Sequence, residues 1–239
     1  MQIVAFGEAL EERVAEEPAA PQGTEVLMKV TACGVCHSDV HLWEGYYDLG
    51  EGERIDIAGR FALPHTLGHE IVGDVAAVGP DGGRLAVGGR RIVHPWIGCG
   101  ECEDCIDGNE NLCPEPRFLG THQAGGYSEY VTVPHPRYLL DAAAIPETEA
   151  CIYACSGVTS YAALKKVMPL DKRRRLLIIG AGGLGLMALS VARAMCSNQV
   201  IIADIDPRKL EAAREAGADA VIDAGGDNAA SEVREIAGG

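Results

Sequence analysis

Short apolar, β-branched runs punctuate the first part of the chain at residues 26–30, 71–78, 91–94 and 127–133, set off by glycines and prolines. Runs of this length between turn residues predict strands, and their irregular spacing predicts a mostly β domain. Past about residue 150 the pattern becomes regular. Leu176–Ile179 reads as a short buried strand and 184–196 as an apolar helix. A strand at 200–203, an Ala/Glu/Arg-rich helix at 208–216, a third strand at 220–222 and the start of a third helix at 229–236 follow. Strands and helices alternating through tight connections predict parallel βαβ units. The pattern divides the chain into two domains, 1–150 and 151–239, within an α/β protein.

Composition narrows the class. Of 239 residues, 47% are hydrophobic and 23% charged, the profile of a globule that buries its own core. The net charge of −15 repels phosphate backbones and anionic lipid, which argues against nucleic-acid and membrane-surface partners. No apolar run approaches the length of a bilayer span. Residues 1–17 are acidic and lack the apolar stretch of a secretory leader, so the expected location is cytoplasmic. In a reducing compartment, nine cysteines point to metal ligands or buried thiols rather than disulfides.

Four of the nine stand close together. Cys99, Cys102, Cys105 and Cys113 follow the spacing C-x2-C-x2-C-x7-C. Two intervening residues let neighbouring thiolates converge on one ion, and a short excursion returns the fourth to close a tetrahedral site of the structural-zinc type. Iron–sulfur clusters use similar runs, but no redox module accompanies this one. A second group is more open. Cys33, Cys36, His37, Ser38, Asp39 and His41 lie within nine residues, His69 and Glu70 follow, and Cys151 and Cys155 flank the change of pattern. A catalytic zinc takes three protein ligands and keeps one position free, which two thiolates and an imidazole can supply. Each signal is weak alone: single histidines are mostly surface or satisfied core residues, and Cys33-x-x-Cys36 also has the spacing of a redox pair.

Residues 36–43 (Cys-His-Ser-Asp-Val-His-Leu-Trp), Gly68-His69-Glu70, the four-cysteine lobe, residues 125–130 (Gly-Gly-Tyr-Ser-Glu-Tyr), residues 155–159 (Cys-Ser-Gly-Val-Thr) and a glycine motif at 180–185 occur in this order. Together they resemble the zinc-dependent medium-chain alcohol dehydrogenases of the yeast and bacterial type. The resemblance implies a GroES-like catalytic domain followed by the first half of a Rossmann-type parallel sheet. It implies Cys36, His69 and Cys155 as catalytic zinc ligands, with a second zinc in the cysteine lobe. Asp39 would fix the tautomer of His69, and Glu70 would sit behind the metal. Ser38 would take the alcohol proton and pass it through the cofactor ribose to His41. A zinc-bound alcohol is more acidic, and its alkoxide gives up hydride more readily. His37 falls at a family position that contacts the cofactor pyrophosphate. Cys33, Cys151 and Cys196 have no implied role and default to buried thiols.

Gly180-Ala-Gly182-Gly183-Leu184-Gly185 fits G-x-G-x-x-G between a strand and a helix, the context in which the motif carries weight. Gly180 would make the turn, Gly182 would admit the pyrophosphate, and Gly185 would let helix pack on strand, with helix amides taking the phosphate charge. Asp204 ends the second strand, where a carboxylate can take both ribose hydroxyls and repel a 2′-phosphate, favouring NAD over NADP. Its alternative is a helix N-cap before Asp206-Pro207. Thr159 and Lys209 match family positions at the nicotinamide and the ribose.

Two departures from the family stand out. Between Trp43 and Gly68 the chain carries extra residues, including 48–54, beside the expected substrate cleft. Only three strands of the nucleotide fold precede Gly239, where a complete fold uses two βαβαβ halves. The expectation is a shortened dehydrogenase with weak NAD binding and little turnover, whose full-length form is a homo-oligomer acting on a small alcohol or aldehyde. Two alternatives remain at this point: a polyol or amino-alcohol dehydrogenase of the same superfamily, against whose polyol branch Cys155 argues, and a non-catalytic zinc-binding fragment.

Overall fold

The computed structural model describes residues 1–238; Gly239, the last residue of the expected second domain, lies outside them. The chain divides into two compact units, Met1–Cys155 and Ser156–Gly239. None of the described helices is long and apolar enough to cross a membrane.

In chain order the first unit contains β1 (Val26–Gly34), α1 (His37–Glu44), β2 (Tyr46–Gly50), β3 (Glu53–Asp56), β4 (Glu70–Val78) and β5 (Arg90–Val93). The short helix α2 (Glu103–Ile106), β6 (Tyr130–Val133), β7 (Leu139–Asp141) and α3 (Glu147–Ala150) complete it. Five strands form one antiparallel sheet in the order β6-β1-β4-β5-β7. Alternation puts Val26 and Met28 of β1 on one face with Ile71 and Val75 of β4 and Val131 and Val133 of β6, all nearly inaccessible. On the other face Val72 and Ile92 pack against Ala150, Cys151 and Ala154. Burial on both faces explains why β4 is mostly apolar beyond Glu70, interrupted only by Gly73 and Asp74. It also anchors the turn of 3-10 helix Cys151–Ala154, which leads directly into Cys155.

Register then decides what meets at the end of the sheet. Gly34, the last residue of β1, pairs with Glu70, the first of β4. Cys36 and His69 therefore leave neighbouring strand ends together. A Cβ at Gly34 would sit 2.1 Å from Glu70 Oε2 and 3.1 Å from Glu70 Cβ, so a larger residue there would displace the Glu70 side chain.

The second unit contains α4 (Ser156–Val167), β8 (Leu176–Ile179), α5 (Gly183–Met195), β9 (Val200–Asp204), α6 (Pro207–Glu215), β10 (Ala220–Asp223) and α7 (Ala229–Ala237). Its three strands are parallel in the order β10-β9-β8. Leu189 and Ala192 of α5 are buried against Val200 and Ile202 of β9. Asp206 caps α6 by accepting the Arg208 N–H (2.9 Å), with Pro207 at the first helical position.

Sequence pattern and structure agree to within a few residues on β1, β4, β5 and β6 and on every element from β8 onward, whereas β7 and the helices α2, α3 and α4 are not announced by the pattern. Residues 37–44 form a helix that their polar composition hides. The extra residues fold as the hairpin β2–β3, which the pattern leaves unassigned.

Candidate metal centres and dinucleotide loop

Cys36 is the N-cap of α1, and Asp39 reaches back to it. Asp39 Oδ2 accepts the Cys36 N–H (2.9 Å) and the Tyr127 hydroxyl (3.1 Å), while Oδ1 lies 3.2 Å from His69 Nδ1 and accepts the Gly68 N–H (3.3 Å). Both Asp39 and His69 are buried. With Nδ1 committed to the carboxylate, His69 Nε2 is left without a hydrogen-bond partner although it is fully covered. An orphaned buried ring nitrogen is costly unless something binds it. Its neighbours are two sulfurs: the Cys36 and Cys155 thiols are 3.8 Å apart, and one donor atom from each of the three residues lies within 4.8 Å of the others.

The charges of the three side chains are strongly coupled. The Cys155 thiol beside it, then the His69 ring, pushes Cys36 far down, while Cys36 pushes Cys155 far up. Two thiols this close share one negative charge. Burial opposes a charged His69, but the Asp39 carboxylate and the nearby Cys36 sulfur outweigh it and carry the imidazole well above its usual range. Burial, then the charge on Cys36, lifts Glu70 to about 7. A divalent cation on Cys36, His69 and Cys155 would let both thiols ionise and satisfy Nε2; two sulfurs and one nitrogen are the donor set of a catalytic zinc with an open position. The residues present fit that ion. Cys33 does not join them: burial and the Asp39 charge push it to about 12, a neutral thiol. Burial likewise raises Cys151.

The cysteine lobe gathers by local spacing. Sulfurs of Cys99 and Cys105 are 3.9 Å apart and those of Cys102 and Cys113 3.8 Å; all four lie within 4.8 Å of one another. Main-chain amides point inward, Cys99 N–H to Cys113 Sγ (3.2 Å) and Cys102 N–H to Cys99 Sγ (3.4 Å), as they do around metal thiolates. A closed four-sulfur zinc fits here. Glu110, which the sequence does not single out, ties the lobe down. Its Oε2 accepts the Gly98 N–H (2.8 Å) and the Tyr138 hydroxyl (2.6 Å), and its Oε1 meets Arg137 at 3.0 Å.

Along α1, Ser38 Oγ lies 3.6 Å from Cys36 Sγ. The rings of His37 and His41 are 4.6 Å apart, and His41 meets Tyr47 of β2 edge-on at 5.0 Å. Ser38 and His41 share no direct hydrogen bond, and His41 Nδ1 is buried without one. Tyr127, within the stretch that carries the family resemblance, is another residue whose role only the fold shows: it supports Asp39.

In the second unit, Gly180 adopts φ 98°. A Cβ on Gly185 would stand 1.8 Å from Gly180 O, whereas Gly182 and Gly183 face open space. Gly182 is the N-cap of α5 and Leu184 is exposed. Asp204 Oδ2 accepts the Ala181 N–H (2.7 Å) and Oδ1 the Asp206 N–H (2.9 Å). Those two amides, with the charge of Lys209 on α6, hold its carboxyl below the usual range. The helix cap is Asp206, so Asp204 remains an ionised carboxylate braced against the glycine loop. Thr159 lies on α4.

Residues 22–146 match the alcohol dehydrogenase GroES-like domain, and residues 183–239 match the zinc-binding dehydrogenase family. The chain belongs to the zinc-binding alcohol dehydrogenases. It is 42% identical to an NAD-dependent alcohol dehydrogenase of Sulfurisphaera tokodaii over 100% of this chain and 68% of that protein. It is 42% identical to one of Saccharolobus solfataricus over 90% of this chain and 61% of that protein. The crystal structure of an alcohol dehydrogenase from Aeropyrum pernix matches with a TM-score of 0.83 and 29% identity, covering 100% of this chain and 68% of that one. The chain thus spans between 61% and 68% of the length of these relatives.

Within the first unit of this dehydrogenase chain, a cavity of about 220 Å³ opens beside Ser38 and His69. Trp96 and Phe118 form one wall, packed edge-on at 5.2 Å, with Trp96 5.6 Å from the His69 ring. Tyr47 of β2, with Ile57, Arg60 and Phe61 just beyond β3, forms another. The segment between Trp43 and Gly68 therefore builds part of the cavity beside His69, through Tyr47 and residues that follow the hairpin.

Proposed function

We propose that the chain carries the alcohol-oxidising chemistry of its family: reversible, NAD-dependent oxidation of a small alcohol to an aldehyde or ketone. Cys36, His69 and Cys155 hold the catalytic zinc and Cys99, Cys102, Cys105 and Cys113 the structural one. The observation that carries this reading is His69 Nε2, buried, unpartnered and grouped with two thiols. Zinc supplies Lewis acidity that makes a bound alcohol easier to deprotonate. Asp39 keeps the proton on Nδ1 so that Nε2 presents its lone pair. Ser38, lining the cavity beside His69, would accept the alcohol proton, and His41 on the same helix would take it onward when the cofactor is bound. Glu70 supports the ligands from behind. The aromatic wall keeps water from the reacting atoms.

Gly180, Gly182, Gly183, Leu184 and Gly185 cradle the pyrophosphate, assisted by His37. Asp204 takes the adenosine ribose and excludes a 2′-phosphate, Lys209 assists it, and Thr159 meets the nicotinamide. Nine free cysteines support a reducing, cytoplasmic setting; a homo-oligomer rests on the family resemblance alone.

The test is alcohol-dependent reduction of NAD by zinc-loaded protein, measured on this chain and on the product of its whole reading frame. Activity that disappears in Cys155→Ala with the lobe zinc retained supports the reading. Equal activity in Cys155→Ala, or preference for NADP, contradicts it.

A further inference from the structure

The cavity beside Ser38 and His69 is unusual in its charge. The chain carries 35 acidic residues and a net charge of −15, yet no aspartate or glutamate lines this cavity. Its lining runs from His69, almost wholly buried, to Arg60 and His122, which are exposed. Between them the walls are mostly apolar and aromatic. Arg60 ends a single 3-10 turn, Ala58–Arg60, whose backbone is tied by its N–H to Ile57 O (3.0 Å). Among the described residues its guanidinium has no hydrogen bond and no ion pair, whereas many other arginines of the chain pair with a nearby carboxylate. Burial, then the charge of Arg60, lowers the pKa of His122. The imidazole therefore stays neutral near pH 7 and offers a hydrogen bond, leaving Arg60 as the fixed cation of the wall.

We propose that the alcohol oxidised here carries a terminal oxyanion, a carboxylate or a phosphate, separated from its hydroxyl by a compact apolar segment. The hydroxyl end lies toward Ser38 and His69, the apolar segment packs against Trp96, Phe118 and Phe61, and Arg60 receives the anion. An unpaired guanidinium presents the forked donors that match either oxyanion, and an acidic protein that keeps carboxylates out of one cavity avoids repelling such a ligand there. The hairpin β2–β3 and the turn after it thus set substrate choice by charge. This inference rests on the dehydrogenase reading, since it supposes that the cavity receives the substrate.

Calorimetric binding separates the two, because it needs no turnover. Zinc-loaded protein is titrated with 4-(hydroxymethyl)benzoate, 4-(hydroxymethyl)phenyl phosphate and the neutral 4-methylbenzyl alcohol, with inorganic phosphate as a further ligand. We expect one or both anionic alcohols to bind about three- to tenfold more tightly than the neutral one, as befits a charged contact open to solvent. That advantage is lost in Arg60→Gln and partly kept in Arg60→Lys, with folding of both variants checked by circular dichroism. Which anionic alcohol gains more identifies the oxyanion; inorganic phosphate alone should bind far more weakly than either. Equal binding of charged and neutral alcohols, a preference that survives Arg60→Gln, or no binding of any alcohol overturns the inference. Failure of NAD reduction with simple neutral alcohols bears on the dehydrogenase reading and leaves this comparison standing.

Discussion

Asp39 and His69 share a buried hydrogen bond, 3.2 Å from Oδ1 to Nδ1, and that bond aims the other ring nitrogen at two thiols. Cys36, Gly68 and Tyr127 each donate to the same carboxylate, so Asp39 is itself held in place. Replacing it with asparagine keeps the shape but allows an amide N–H to face Nδ1 and favours the wrong tautomer. Removing such a supporting group costs about 10–100-fold in metal affinity. Asp39→Asn should release one zinc at a chelator concentration that leaves wild type intact, while the lobe zinc stays.

The two ligand sets share no residue. Purified protein kept from chelators should contain two zinc ions per chain by metal analysis. Cys113→Ser should leave one and lower thermal stability, because a closed metal site contributes directly to folding. Cys36→Ser should also leave one, with less loss of stability. Loss of both ions from either variant would show that the sites are coupled.

What the sequence discloses follows the distance over which each feature is built. The cysteine lobe is legible because all four thiols lie within one loop and spacing alone brings them together. The three strands of the second unit and the helices α5, α6 and α7 are legible because their periodicity is local. The other metal site is not: Cys36 and Cys155 stand 119 positions apart, and only the family's motif order links them before the sheet does. Tyr127 meets Asp39 across 88 positions and Glu110 meets Tyr138 across 28. No pattern in either segment announces such pairs. The extra residues after Trp43 carry no strong alternation, so their hairpin and the cavity wall it leads into emerge only with the fold.

Gly183 and Gly185 sit two residues apart on α5 and should respond oppositely. A methyl at Gly185 meets a main-chain oxygen that cannot move without disturbing the turn at Gly180, whereas one at Gly183 meets nothing within 4 Å. Gly185→Ala should lower stability by about 1–3 kcal/mol, the usual cost of overpacking. Gly183→Ala should be neutral or slightly stabilising, since alanine favours helix. Denaturant melts of the two variants check this directly. Equal destabilisation would mean that the glycine loop has a different shape.

Asp204 has two jobs that substitution can separate. Its carboxylate braces Ala181 and Asp206 and, in the proposed reading, binds ribose. Asp204→Gly should narrow the preference for NAD over NADP but also loosen the loop. Asp204→Asn retains an acceptor oxygen, so it should keep more stability while still relieving the repulsion of a 2′-phosphate. Comparing dinucleotide affinities and melting temperatures of both variants distinguishes the effects; unchanged preference in both removes Asp204 from cofactor choice.

Glu110 gives the lobe a pH dependence of its own. Burial by itself would raise its pKa, but the Tyr138 hydroxyl, the Gly98 N–H and the Arg137 charge together outweigh that and hold it below the usual carboxylate range. A carboxylate whose folded pKa lies below its unfolded value stabilises the fold fully above the unfolded value, about 4.3. The contribution fades as pH falls through the folded pKa, where both states carry the proton. Glu110→Gln should therefore cost stability at neutral pH, by about 1 kcal/mol for the charged hydrogen bonds it weakens. Wild type should lose that advantage under acid conditions. Acid also strips zinc from thiolates in both proteins, so the decisive quantity is the difference between the two melting temperatures rather than either alone. That difference should be largest above about pH 5 and should shrink toward pH 3. A gap that stays constant over this range would assign the role of Glu110 to packing and hydrogen-bond shape instead of charge.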